Sequence, residues 1–142
     1  MSGVSVVLAS DHRAGSDEAW EELRSCLRVF AAEEFGEPVE ILVVETPELL
    51  AGMPDDVRAI APGARFLAAP GPGAAELRNA GVREASGDLV AVLDSDCVPE
   101  PGWLCAAVET LRACWCARSA CSSARGSIPG VAANRSACGA SR

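Results

Sequence analysis

The sequence predicts an α/β fold over residues 1–111, with a mostly parallel β-sheet and helices on both faces. Two observations carry this prediction. Short runs of β-branched and aliphatic residues recur along the chain, and stretches with helical periodicity separate them. Strands that alternate with helices form parallel sheets, because each helix returns the chain to the edge of the sheet where the next strand begins.

The first strand–helix–strand unit is the clearest part of this pattern. Val4–Ala9 is an apolar run typical of a buried strand, and Ser16 or Asp17 can cap the helix that follows. A second buried strand is expected at Val39–Glu45. Between the strands, one helical face carries the large apolar side chains Trp20, Leu23, Leu27 and Phe30.

The remaining elements continue the alternation. Residues 47–61 form a connection with one or two helical turns, and Arg65–Ala68 is a short third strand. A helix over 74–85 precedes a fourth strand over 88–93. The last helix follows Pro101, and its apolar face is expected to consist of Trp103, Ala107 and Leu111.

Composition restricts the class of protein. The chain has 142 residues, 49% of them hydrophobic, which is enough for one domain with a buried core. No apolar run approaches the ~20 residues that cross a bilayer, and no secretory signal is recognisable, so we expect a cytoplasmic protein. Residues 1–111 hold seven arginines against all 20 acidic residues, and this acidity argues against a nucleic-acid partner.

The pattern ends at Leu111. Residues 112–142 contain five arginines and no acid, and they show neither a helical stripe nor strand alternation. We expect a disordered low-complexity tail here, either a translated frameshift or a natural tail. The seven cysteines are expected to be free thiols, since the spacing of Cys114, Cys116, Cys121 and Cys138 fits no common zinc pattern.

Asp94-Ser95-Asp96 is the main candidate for chemistry. It directly follows the fourth strand, and ligands of open α/β sheets bind beyond the carboxyl ends of the strands. Two carboxylates at this spacing can bind one hard cation, whose coordination substrate phosphates complete. The motif alone is weak evidence, because a capped turn at the strand end explains it equally well.

The surrounding motifs strengthen the hypothesis. Arg78-Asn79-Ala80-Gly81, Ala85-Ser86-Gly87-Asp88, Leu93-Asp94-Ser95-Asp96 and the stretch 99–104 follow one another in an order that resembles family 2 glycosyltransferases of the GT-A fold. The resemblance covers about 100 residues. It implies a Rossmann-like half-domain that binds a nucleotide-diphospho-sugar donor, transfers the sugar with inversion and depends on Mn²⁺ or Mg²⁺.

The resemblance also implies roles for single residues. Asp96 would be the principal metal contact, and Asp94 would lie nearer the ribose or share the ion, with Ser95 in the substrate site. Arg78 would lie near the diphosphate or the donor sugar, although a surface arginine remains an alternative. We read Gly81 as a packing residue that lets its helix approach the sheet.

Base recognition is less certain from the sequence. The loop Ala9-Ser10-Asp11 would face the nucleotide base, but Asp11 is equally well a plain loop acid. Glu45 stands where the family usually has an aspartate that reads the base. His12, the single histidine, is interpreted as incidental.

The acceptor half of the family has no counterpart in this pattern. In the family the catalytic base follows the metal motif, whereas no acid follows Glu109 here. We therefore expect the donor-binding part of a transferase with little activity and an unknown acceptor, attached to a membrane only if a missing C-terminal part provides it. The alternative is a non-enzymatic module that binds a nucleotide and a divalent ion, or an inactive truncated product.

Overall fold

The computed structural model describes residues 3–9 and 16–124, with side chains as far as residue 116. Its centre is one sheet of four parallel strands in the order β3-β2-β1-β4. The strands are β1 (Val4–Ala9), β2 (Val39–Glu45), β3 (Arg65–Ala68) and β4 (Leu89–Asp94). Each lies where the apolar runs predict it, so the predicted parallel α/β fold is confirmed.

The described residues also form five helices: α1 (Asp17–Ala32), α2 (Pro47–Gly52), α3 (Asp55–Ile60), α4 (Ala74–Glu84) and α5 (Trp103–Ala124). The cap expected for α1 is Ser16, whose Oγ accepts a hydrogen bond from the backbone N–H of Ala19 at 3.1 Å. The four large apolar residues predicted for its inner face are all buried. Helices α2 and α3 are the helical turns expected in the connection to β3.

Helix α4 packs directly on β1 and β2. Val7, Leu42 and Val44 form a buried cluster with Leu77 of this helix. Gly81 makes the close approach possible, because a Cβ at this position would overlap the Cγ1 of Val7 and lie 3.0 Å from the Cγ2 of Val44. The packing role predicted for Gly81 is confirmed.

The amino-terminal edge of the sheet is held by hydrogen bonds to Glu40 in β2. Its Oε2 accepts from the Ser5 hydroxyl at 2.7 Å and from the Ser86 N–H at 2.9 Å, and its Oε1 accepts from Arg65 at 2.7 Å. The Ser5 hydroxyl also accepts from the Gly87 N–H at 2.9 Å. One carboxylate therefore connects three strands with the loop that leads into β4.

Helix α5 differs from the sequence prediction in two respects. Its buried residues are Leu104 and Val108, whereas Trp103 and Leu111 of the predicted face are 39% and 57% exposed. The helix also continues to Ala124, past Leu111, where the predicted helical pattern ends. The disordered tail expected for residues 112–142 stays a prediction. Residues 125–142 lie outside the described part of the chain.

The sheet belongs to a compact unit that ends at Ala106, and a second unit begins at Ala107. The proposed division at residue 111 therefore stays a prediction. Among the described residues, no helix has the length and apolar character needed to cross a membrane.

Candidate functional site

The candidate site lies at the carboxyl ends of β1 and β4, which are neighbours in the sheet. Ala9 and Asp94 are register partners, and the N–H of Ser95 donates to the carbonyl of Ala9 at 2.8 Å. The chain then turns, with the N–H of Cys97 donating to the carbonyl of Asp94 at 3.0 Å. Ser95 is 6% exposed, so its backbone is part of the framework that positions the two aspartates.

Arg78 and Asp94 meet at this edge. The Nε and Nη2 of Arg78 donate to the same Oδ1 of Asp94 at 3.1 and 2.6 Å. Arg78 reaches Asp94 from α4, because Asp94 shares the α4 face of the sheet with its register partner Ala9. Both side chains are more than a third exposed, so a ligand can reach this ion pair.

Asp96 lies two residues further along and is exposed. The Cys97 thiol donates to its Oδ1 at 3.4 Å, and this bond to an anionic partner raises the pKa of Cys97. Cys97 is thus a neighbour of the carboxylate rather than a second kind of ligand.

The donor set suits a cation that is bound partly by its substrate. Asp94 and Asp96 offer carboxylate oxygens, and no group of three or more His, Cys, Asp or Glu able to hold a metal occurs in the described ranges. Mg²⁺ commonly binds through one or two carboxylates and takes its remaining ligands from phosphates and water. The residues fit a metal of that kind, and they do not fit a closed metal site built from protein alone.

The structure places Glu45 away from this ion pair. Glu45 ends β2 with a side chain only 2% exposed, and alternation along the strand directs it to the face opposite Val44 and Asp94. Ser10 and Asp11, the other residues assigned to the nucleotide base, lie outside the described residues, and so does His12. The predicted base contacts therefore stay a prediction.

Cys26 was not singled out from the sequence, although its side chain contacts the loop that follows Asp96. This fully buried residue of α1 donates through its Sγ to the carbonyl of Cys97 at 3.5 Å. Burial, and secondarily Cys97, raises the pKa of Cys26 to about 12, so it is a neutral thiol at pH 7. Its position three residues after Leu23, on the apolar face of α1, is the sequence signal that identifies it.

The fold is a parallel α/β domain with two aspartates at the carboxyl end of β4, the edge of the sheet where ligands of open α/β sheets bind. The chain also matches the model of glycosyl transferase family 2 over residues 16–130, and it belongs to that family. The match continues past Leu111, so similarity to the family extends into the basic C-terminal segment. No match was found among curated proteins.

Proposed function

We propose that this chain is the donor-binding part of a family 2 glycosyltransferase and holds a nucleotide-diphospho-sugar at the carboxyl ends of β1 and β4. The observation that supports this most directly is the Arg78–Asp94 ion pair beside the exposed Asp96. A cationic side chain and two carboxylates side by side match the two needs of this ligand, a phosphate contact and a site for its counter-ion.

Asp96 and Asp94 would hold the divalent ion, Mn²⁺ or Mg²⁺, which when bound neutralises the charge that develops on the diphosphate leaving group. Arg78 would orient the diphosphate. A guanidinium carries five N–H donors, and Asp94 takes only two of them in this structure. Arg78 can therefore keep its contact to Asp94 and donate to a phosphate oxygen as well.

We expect donor binding without efficient transfer. Residues 110–142 contain no Asp or Glu, so this stretch provides no carboxylate that could deprotonate an acceptor hydroxyl. Loss of general-base catalysis alone costs about 10²–10⁴-fold in rate. Inverting transfer to a hydroxyl acceptor is the part of the proposal that follows from the family resemblance, and a cytoplasmic location stays a prediction.

Calorimetric titration with UDP- and GDP-sugars, in the presence and absence of Mn²⁺, tests the proposal. We expect saturable binding that requires the metal and falls at least about tenfold in Asp96→Asn, because one charge-assisted ligand is lost. Asp88→Asn is the matched control, since Asp88 is exposed and precedes β4 at its opposite end. Equal losses in both variants, or no binding of any nucleotide sugar, would contradict the proposal.

A second measurement separates a transferase from a binding module. Donor hydrolysis and sugar transfer are followed with the wild type and with Asp96→Asn. We expect binding with negligible turnover in both proteins. Metal-dependent turnover that disappears in Asp96→Asn would show that the chain is an active enzyme and would overturn the expected inactivity.

A further inference from the structure

A cavity lies at the opposite end of the sheet from the candidate donor site, where α1 ends and β2 begins. Its volume is about 220 Å³, and all of its lining belongs to the unit that contains the sheet. Its lining consists of five apolar and two acidic residues: Phe30, Phe35, Val39, Ile41, Leu104, Glu33 and Glu37. Val39 is the first residue of β2, whereas the candidate donor site lies beyond the last residues of β1 and β4, so the two sites are separate.

Glu33 has one carboxylate oxygen in use and one without a partner. Its Oε1 accepts from the N–H of Cys105, in the first turn of α5, at 3.4 Å. Its Oε2 is buried and has no hydrogen-bond partner within the described part of the chain. A buried carboxylate oxygen without a donor is costly, so a donor is expected from whatever occupies the cavity.

The lining decides which donor fits. A hard metal ion bound by two carboxylates keeps several waters as its other ligands, and here the aliphatic and aromatic side chains of the lining would face those waters. Water can donate to this oxygen, but it leaves the aliphatic and aromatic part of the lining in contact with solvent. An alkylammonium ion satisfies both parts: its N–H groups donate to the carboxylates, and its methylene chain packs on the apolar walls, with Phe30 and Phe35 able to attract the cation.

We propose that this cavity is a binding site for a small organic ammonium ion, with Glu33 as the principal anionic contact and Glu37 as the second. Two carboxylates in one cavity favour a short aliphatic diamine over a monoamine of the same length. The proposal is independent of the donor site, so either one can fail without the other.

Calorimetric titration of the full chain at low ionic strength with three matched four-carbon probes tests this. We expect putrescine to bind saturably, n-butylamine to bind more weakly, and butane-1,4-diol to give no binding heat. Equal binding heats for putrescine and butane-1,4-diol, or no saturable binding of either amine, would mean that solvent fills the cavity. Either result would overturn the proposal.

Two variants distinguish a defined site from general attraction to an acidic surface. Glu33→Gln keeps an oxygen that can accept from Cys105 but removes the charge, and we expect putrescine affinity to fall about tenfold. Glu34→Gln removes the same charge from the adjacent exposed residue and should leave the affinity within about twofold. Equal losses in both variants would assign the binding to diffuse charge and overturn the site.

The wild-type protein provides a test that does not depend on the folding of a variant. In an amide NMR titration with putrescine, we expect saturable shifts concentrated at Phe35, Glu37 and Cys105. Shifts spread over the acidic surface, or none, would contradict the proposal. Nucleotide-sugar binding measured on the same samples should be unchanged by putrescine, which keeps the two sites distinguishable.

Discussion

At the scale of the residue, Glu40 shows how local hydrogen bonds outweigh burial. Its side chain is 19% exposed, and burial by itself would raise the pKa of its carboxyl group. Hydrogen bonds from Ser5, Ser86 and Arg65 stabilise the charged form more strongly and lower the pKa to about 2. The carboxylate is therefore a structural connection of the sheet edge rather than a part of either ligand site.

The lowered pKa of Glu40 predicts an acid-dependent loss of stability. A folded-state pKa of about 2 against a reference of 4.5 means that the contribution is fully present above pH 4.5 and is lost as the pH falls towards 2. We expect Glu40 to account for about 2 to 3 kcal/mol of unfolding free energy over that window.

Urea unfolding between pH 2 and 6 measures this contribution. The wild type should lose more stability on acidification than Glu40→Gln, so that the two curves converge at low pH. Glu34→Gln, which changes an exposed carboxylate, should follow the wild type. Parallel curves for the wild type and Glu40→Gln would show that Glu40 is not coupled to folding.

Single residues of the candidate site also show which features the sequence can predict and which it cannot. The position of Asp94 at the end of a strand followed from the apolar run before it, because such a run indicates where a buried strand ends. The contact between Arg78 and Asp94 did not follow, since it depends on how α4 is rotated and how closely it packs. The buried position of Glu45, on the opposite face, likewise required the register of the strands.

At the scale of the element, the closeness of α4 to the sheet depends on Gly81. We expect Gly81→Ala to destabilise the protein by about 1–3 kcal/mol, because the added methyl group would overlap Val7 and force the helix outward. Chemical denaturation at constant pH measures the difference.

Gly52 is the matched control for that substitution. It also lies in a helix, α2, but a Cβ there meets no atom within 4 Å. Gly52→Ala should therefore be neutral or stabilising by up to about 1 kcal/mol, through helix propensity. If the two substitutions had the same effect, propensity rather than packing would explain Gly81.

Helix α5 is the element whose buried face the sequence predicted incorrectly. Trp103, Ala107 and Leu111 form one stripe at helical spacing, while Leu104 and Val108 form another one residue later. Periodicity fits both stripes, and only tertiary packing selects the second. The helix also passes Leu111 without an apolar stripe, since alanine and arginine favour helix whether or not a face is buried.

At the scale of the whole molecule, an exposed sheet edge favours association between copies, and a large net charge opposes it. β4 pairs only with β1 in the described part of the chain, and Val90 and Val92 on its surface are 38% and 40% exposed. No charged residue interrupts the run from Leu89 to Leu93. Such an edge can pair with another copy, and a net charge of −8 at pH 7 opposes that contact.

This balance predicts that association increases as the pH falls towards the isoelectric point of about 4.6. Glu40 keeps its charge there, because its pKa is about 2, so the molecule should still be folded when its repulsion disappears. Light scattering should therefore rise between pH 7 and 4.6 while the far-UV circular dichroism stays constant. Scattering that rises only after the dichroism signal is lost would instead assign the association to unfolded chains.

Two lysine substitutions locate the contact. Val92→Lys places a charge on the β4 surface, where lysine hinders edge pairing, and should weaken association about tenfold. Ala51→Lys adds the same charge to an exposed position of α2, a helix that contacts β3 at the other edge of the sheet, and corrects for the change in net charge. If both variants weaken association equally, repulsion alone controls it and the edge of β4 is not the contact. A selective effect of Val92→Lys would identify that edge as the surface that charge protects.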